Sequence, residues 1–322
     1  MKQIIITNKD EGTTLIKLLN KQLKEAPNSF LYKMLRKKNI TLNGKKSDGS
    51  NKLKEGDVVN IFFSDETYEK FSGEKKDDTF QKLTLLANEK AYNKLSILYE
   101  DEEMVVVNKP SGLLSQKAQP GDVSANELFL AYLIDTNQLS EEEYQRVKPS
   151  VANRLDRNTS GLLLCGKTTK KLQELSLALK ERTVKKYYIC LVKGEIKEKK
   201  TFHGYLKKDE ATNKVTIFDR EQPDAKYIKT AYEPLSYNGK YTKLKVHLIT
   251  GRSHQIRAHL AYLGHPILGD YKYGEKAFNN QLKSEYGVTC QMLHSYEMIF
   301  DDGLHIKAPL PKLYNEIMGE TL

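Results

Sequence analysis

The sequence lacks long apolar runs, paired cysteines and any excess of acid over base. No stretch approaches the ~20 apolar residues that a membrane-spanning helix needs. The opening MKQIIITNKDEG has too short an apolar run for a secretory signal. A cytoplasmic protein with no membrane partner is the expectation. The three cysteines, Cys165, Cys190 and Cys290, are odd in number, far apart and set among apolar neighbours. They read as buried thiols in a reducing compartment rather than as disulfides. There is no Cys-x-x-Cys, and His254 and His259 are five residues apart, which puts them on different faces of a helix rather than at zinc-binding i, i+4 spacing. No metal is expected.

What is present is base. Lys and Arg number 52 against 42 Asp and Glu, a net charge of +10 that favours a polyanionic partner. The excess is uneven: residues 1–63 hold 13 Lys and Arg against 6 Asp and Glu, and the remainder hold 39 against 36. An apolar content of 39% is ordinary for a folded chain, and 322 residues suffice for one large core plus a smaller module.

Residues 1–63 read as that module. Leu15, Leu18, Leu19 and Leu23 recur at helical spacing. After Pro27, Asn28 or Ser29 is placed to cap a second helix, FLYKMLRKK, whose stripe is Phe30, Leu31, Met34 and Leu35. Lys33, Arg36, Lys37 and Lys38 lie largely off that stripe. A short strand ITL runs into Asn43-Gly44, a two-residue hairpin signal, and VVNIFF closes the module as a strand. Residues 64–95 begin with SDETYEKFSGEKKDD, which reads as a charged, solvated linker, followed by a possible short docking helix. From residue 96 to 322, strands and helices mix without a strict βαβ rhythm. That predicts an α+β domain built on a largely antiparallel mixed sheet flanked by helices. KYTKLKVHLIT alternates as a half-buried strand does.

The stretch NRLDRNTSGLLLCGKT contains GLLLCGKT, a letter-for-letter match to the phosphate-loop template. That loop needs backbone N–H groups curled around phosphates, yet its variable positions are Leu162, Leu163, Leu164 and Cys165. Four apolar side chains in a row belong to a buried strand, which leaves Lys167 as a strand end and Thr168 as a helix cap. The preceding residues are more informative. Asp156 sits between Arg154 and Arg157 in a polar loop; it is either a turn cap or, with a guanidinium favouring its carboxylate form, a nucleophile or base. In TGRSHQIRAHLAYLG, Arg252, His254, Gln255, Arg257 and His259 crowd a helix start, where the helix dipole favours phosphate or carboxylate. Ile256, Leu260 and Leu263 form the buried stripe of that helix.

Four ordered blocks carry a resemblance: VVVNKPSGLLS at 105–115, NRLDRNTSGLLL at 153–164, KKYYICLVKGE at 185–195 and LITGRSHQIRAHLAYLGHPILGD at 248–270. Together they resemble the RluA-type pseudouridine synthases, which isomerise uridine in ribosomal or transfer RNA. PNSFLYKMLRKKNITLNGKK resembles an alpha-L-type RNA-binding module also found in a small-subunit ribosomal protein. The resemblance implies Asp156 as catalytic aspartate, Tyr188 against the uracil, and Arg257, with Arg252 second, as the arginine paired with the aspartate. It implies Arg154 in base flipping. With His254, Arg252 and the module's Lys33, Arg36, Lys37 and Lys38, that arginine makes up the expected RNA contacts. A monomer acting without cofactor on RNA, most of all large-subunit rRNA, is the expectation. A catalytically silent RNA-binding or ribosome-assembly protein and a phosphate-loop NTPase are the alternatives. Asn153 stands where the family usually has His, which bears on subfamily and target.

Overall fold

The structure, a computed structural model, describes residues 2–72 and 78–320. Its first part is folded around the leucine stripe. Leu15, Leu18, Leu19 and Leu23 are fully buried, because a helix over that spacing brings all four to one side. In chain order the elements are β1 (Lys2–Ile5), α1 (Leu15–Gln22), α2 (Asn28–Arg36), β2 (Ile40–Leu42) and β3 (Val58–Ile61), with the strands ordered β1-β3-β2 in one antiparallel sheet. Neither Asn28 nor Ser29 caps α2: Pro27 holds the cap position, and the Asn28 side chain instead accepts from Asn20 Nδ2 at 2.9 Å. Asn43 and Gly44 do form a tight turn, both with positive φ, closed by hydrogen bonds between Leu42 and Lys45. The chain then leaves the sheet, and β2 pairs with β3.

SDETYEKFSGEKKDD, expected to be a solvated linker, is largely helical among its described residues, and a docking helix follows it as expected; 73–77 lie outside the described residues. The helices are α3 (Asp65–Ser72) and α4 (Thr79–Asn88). Tyr68 and Phe71 of α3 pack on the first core, whereas Leu83 of α4 is buried in the second. Few as they are, these apolar side chains fall at helical spacing, and that is enough to dock each helix.

The second part is one 11-stranded sheet. Its elements begin with β4 (Ser96–Glu100), β5 (Met104–Lys109), α5 (Ala125–Asp135), α6 (Glu141–Arg146), β6 (Ser150–Val151), β7 (Ser160–Gly166) and α7 (Thr169–Glu181). They continue with β8 (Lys185–Lys193), β9 (Lys200–Asp209), β10 (Lys214–Phe218), β11 (Lys226–Tyr237), β12 (Tyr241–Leu248), α8 (Gln255–Tyr262), α9 (Lys276–Tyr286), β13 (Leu293–Ile299), β14 (His305–Lys307) and α10 (Lys312–Met318). The order is β10-β9-β11-β12-β8-β13-β7-β5-β4, with β14 on β13 and β6 on β7. Every pairing is antiparallel except β13 with β7, the mixed but mainly antiparallel sheet that the strand–helix pattern predicts. In β12, Leu244 and Val246 are buried while Lys243, Lys245 and His247 are only partly so.

β7 is a buried strand, so Leu162 to Cys165 cannot cradle a phosphate. Lys167 donates to Glu100 Oε1 and the Asp101 carbonyl, both at 2.6 Å, and the Thr168 hydroxyl accepts from Lys171 N at the start of α7. The phosphate-loop alternative therefore fails. Gly161 explains its own presence. Its φ is +107°, and a Cβ there would lie 2.1 Å from the Ser295 carbonyl oxygen of β13. Cys165 and Cys190 are buried as expected, and Cys290 is partly exposed.

The two parts meet at α6. Lys9 Nζ donates to Glu143 Oε1 at 2.7 Å, Lys21 Nζ to the Arg146 carbonyl at 2.8 Å, and buried Arg146 donates to the Ile5 carbonyl at 3.0 Å beside buried Asp10.

Candidate active site

The polar loop between β6 and β7 is held in place before its chemistry begins. Ser115 Oγ accepts from Leu155 N at 2.9 Å and donates to Leu155 O at 3.0 Å. Thr159 N closes a turn on the Asp156 carbonyl. Asn153 Oδ1 accepts from Leu164 N at 2.7 Å, so the residue that departs from the family's usual His ties the loop's entry to β7. Below the loop, Lys109 at the end of β5 is completely buried. Its ammonium donates to the carbonyls of Pro110, Leu113 and Arg157 at 2.9, 2.8 and 3.0 Å, which uses all three of its protons. Burial lowers its pKa to about 8, and the Asp156 charge opposes that fall.

Asp156 emerges from this loop with a side chain 27% exposed. Arg257 on α8 donates from Nη1 to Asp156 Oδ2 at 2.8 Å. The other edge of the same guanidinium grips Asp270 bidentately, Nε to Oδ2 at 2.7 Å and Nη2 to Oδ1 at 2.9 Å. Such a fork fixes orientation as well as charge. Asp270 is 1% exposed and also accepts from the backbone N–H groups of Lys272 and Tyr273. Burial works against the Arg257 charge, but Asp270 and Asp156 outweigh it and hold the guanidinium protonated. The anion seat foreseen at the start of α8 is thus filled by the chain's own carboxylates.

The five polar residues at that helix start do not act together. His254 and Arg257, three apart, face Asp156, with His254 Nε2 at 3.9 Å and its Nδ1 hydrogen-bonded to the Tyr273 hydroxyl at 2.8 Å. Burial lowers the His254 pKa, opposed by Asp156. Gln255 and His259, four apart, face the opposite way: both are buried and bond to Thr230 of β11. Burial drops the His259 pKa to about 4. Arg252 is exposed at the rim.

Asp156 opens into a cleft of about 1,100 Å³ that Tyr188 also lines. The phenol is buried, which, together with the Asp156 charge, pushes its pKa up to about 12, so it is protonated near neutral pH. Arg154, Arg157, Lys180, Arg182, Lys186, Lys208, Arg252 and Lys272 border the cleft, with Glu210 the main opposing charge besides Asp156. This wall draws in a polyanion and leaves one carboxylate at its floor. Lys33 and Arg36 are exposed on α2, which ends two residues before the expected FLYKMLRKK helix would. Lys37 caps it, Lys38 follows with a positive φ, and both are exposed and, like the other two, belong to the other module. The sequence reading missed Lys109, Asp270 and Tyr273. A lone Lys closing an apolar strand before Pro, and an Asp after the apolar run of 266–269, were the available signals.

The profile of the RNA pseudouridylate synthase family matches residues 103–262. The chain is 33% identical over 99% of its length to the ribosomal large subunit pseudouridine synthase C of Vibrio vulnificus (strain CMCP6), covering 94% of that protein. It is 35% identical to the ribosomal large subunit pseudouridine synthase D of Borreliella burgdorferi over 65% of this chain and 62% of that one. Among solved structures, human RNA pseudouridylate synthase domain containing 4 superposes with a TM-score of 0.58 at 20% identity, covering 76% of this chain and 99% of that one. The chain is an RNA-modifying isomerase and belongs to the RNA pseudouridylate synthase family.

Proposed function

We propose that the protein isomerises uridine to pseudouridine in large-subunit ribosomal RNA, with Asp156 as the reacting carboxylate on a flipped-out nucleotide. The observation that carries this reading is the Asp156–Arg257–Asp270 chain at the floor of a basic cleft. The names of the full-length relatives support the rRNA target. The reaction breaks the bond from the sugar to the uracil nitrogen and forms one to ring carbon 5. The carbon loses a proton and the nitrogen gains one. No electrons are exchanged, so no redox cofactor is needed. Arg257, fixed from behind by Asp270, aims the carboxylate and retains its own charge throughout. Tyr188 offers a phenol face to the pyrimidine and, at its raised pKa, acts as a hydrogen-bond donor or proton carrier rather than a standing phenolate.

A paired base cannot reach that carboxylate, and extruding it costs a few kcal/mol. Exposed Arg154, two residues before Asp156, is placed to fill the vacated position, with Arg252 and His254 contacting the backbone nearby. Residues 1–63 act as the RNA-binding module, through Lys33, Arg36, Lys37 and Lys38, attached to the catalytic domain at 96–322. The enzyme works as a cytoplasmic monomer. Mapping pseudouridines in total RNA from cells lacking the gene tests the reading. Defined large-subunit sites disappear and return with wild type but not with Asp156→Ala; restoration by Asp156→Ala contradicts it.

A further inference from the structure

Tyr187 and Tyr188 are consecutive in β8, so their side chains leave opposite faces of the sheet. Tyr188 lines the cleft, and Tyr187 lines a separate hollow of about 330 Å³ on the back. The strand register carries that back surface sideways: Tyr187 lies beside His247 of β12, His247 beside Ala231 of β11, and Ala231 beside Thr201 of β9. The Tyr187 and His247 rings are stacked, with centroids 4.7 Å apart and planes inclined by 24°. Lys245 Nζ sits 4.5 Å from the Tyr187 ring centre while pairing with Glu297. Lys199 and Lys200 are exposed at the rim. The aromatic face continues to His203 and Tyr227, which share a hydrogen bond.

The charge around this hollow is positive. Lys185, Lys199, Lys200 and Lys229 stand against Glu233, while Lys245 and Glu297 are paired with each other, Glu297 also with His305 and Lys307. Burial first, and then Lys185, Lys186, Lys229 and Lys245, depress the His247 pKa. The belt also joins the cleft. Lys180, Arg182 and Lys186 line the cleft immediately before and at the start of β8, and Lys185 turns the same stretch onto the back face.

Stacking faces, cations around them and a hollow at the lower end of the ~300–1,000 Å³ range of small-ligand sites are what an unpaired nucleotide needs. We propose that the Tyr187–His247 hollow is a second RNA site, which takes an unpaired nucleotide of the same RNA after the strand has passed from the cleft around the start of β8. The inference rests on RNA being the substrate. It explains why an aromatic pair and a lysine cluster lie on the face of the sheet away from Asp156.

The test compares two RNAs, a long large-subunit rRNA fragment and a minimal stem-loop carrying the target uridine, titrated across salt. Lys199→Gln/Lys200→Gln weakens binding of the long fragment about tenfold and lowers the slope of log affinity against log salt by roughly 1.4, two contacts at ~0.7 each. Tyr187→Leu/His247→Leu weakens the long fragment about tenfold with no change in slope. Both pairs leave affinity and turnover on the stem-loop within about twofold. Unchanged binding of the long fragment overturns the site. Equal weakening on both RNAs also overturns it, because that would report a general electrostatic field. If the wild type makes no pseudouridine in either RNA, the functional reading fails instead, and the same assay reads this separately.

Discussion

The floor of the cleft and the basic helix α2 both present arginine and lysine, and they treat these residues in opposite ways. In the floor, Arg257 and Lys109 are buried, and each is engaged by the chain itself: two carboxylates for one, three carbonyls for the other. On α2 and just past its end, Lys33, Arg36, Lys37 and Lys38 stand in solvent. Burying a charge costs several kcal/mol, so a buried cation survives only where fixed partners offset that loss. The floor therefore uses its cations to set geometry, and the module leaves its own exposed to solvent. Damage to the first group should appear in turnover and stability, and damage to the second in affinity and its salt dependence.

The sharpest way to break this comparison is Asp270→Ala. It leaves one edge of the Arg257 guanidinium without its partner, and stability should fall by about 3–5 kcal/mol in chemical denaturation. In the fraction that stays folded, turnover should fall on the order of 100-fold while RNA affinity holds, since a shift of about 1 Å at a reacting group has that cost. A drop in affinity with turnover intact would mean that Asp270 does not position the carboxylate.

Lys109→Met gives a smaller effect with a distinctive pH signature. The unfolded chain keeps the lysine proton up to about pH 10.4, whereas the folded one releases it near 8. Unfolding thus takes up a proton between those values, and wild-type stability gains with rising pH across that window. The variant lacks this gain, of about 2–3 kcal/mol, and loses stability throughout because three carbonyls lose their donor. Parallel stability curves for the two proteins from pH 8 to 10 would contradict the burial of that ammonium.

The gentlest of the three changes is Lys33→Gln/Arg36→Gln/Lys37→Gln/Lys38→Gln. RNA binding should weaken about tenfold at moderate salt and the salt slope should flatten by up to about 3. Turnover at saturating RNA should stay within about twofold. An unchanged slope would remove α2 from the RNA interface.

These contrasts also mark what the sequence made legible. Periodicity located α1, α2 and β12, because each buries one face and the spacing records it. The apolar run at 162–165 was enough to reject a phosphate loop. Asp156 and Arg257, paired by the family resemblance, do meet in the structure although 101 positions separate them. Asp270 and Lys109 were not legible, because a buried ion pair or a buried ammonium looks like any surface charge until its partners are known. The helix start at 254–259 misled for a related reason: one segment feeds both faces of α8, so Gln255 and His259 turn to Thr230 while His254 and Arg257 turn to Asp156. The insertion of β13 between β7 and β8 has no local signal at all. In the 64–95 stretch, Tyr68 and Phe71 were too sparse among charged neighbours to announce α3, whereas the docking helix expected after them is α4, with Leu83 buried.

The most direct test of the central claim is single-turnover isomerisation of protein-free large-subunit rRNA by purified wild type and Asp156→Ala, with binding measured alongside. The account predicts affinity within about threefold of wild type and pseudouridine formation reduced at least about 10⁴-fold. Formation by Asp156→Ala at a rate near wild type would contradict it.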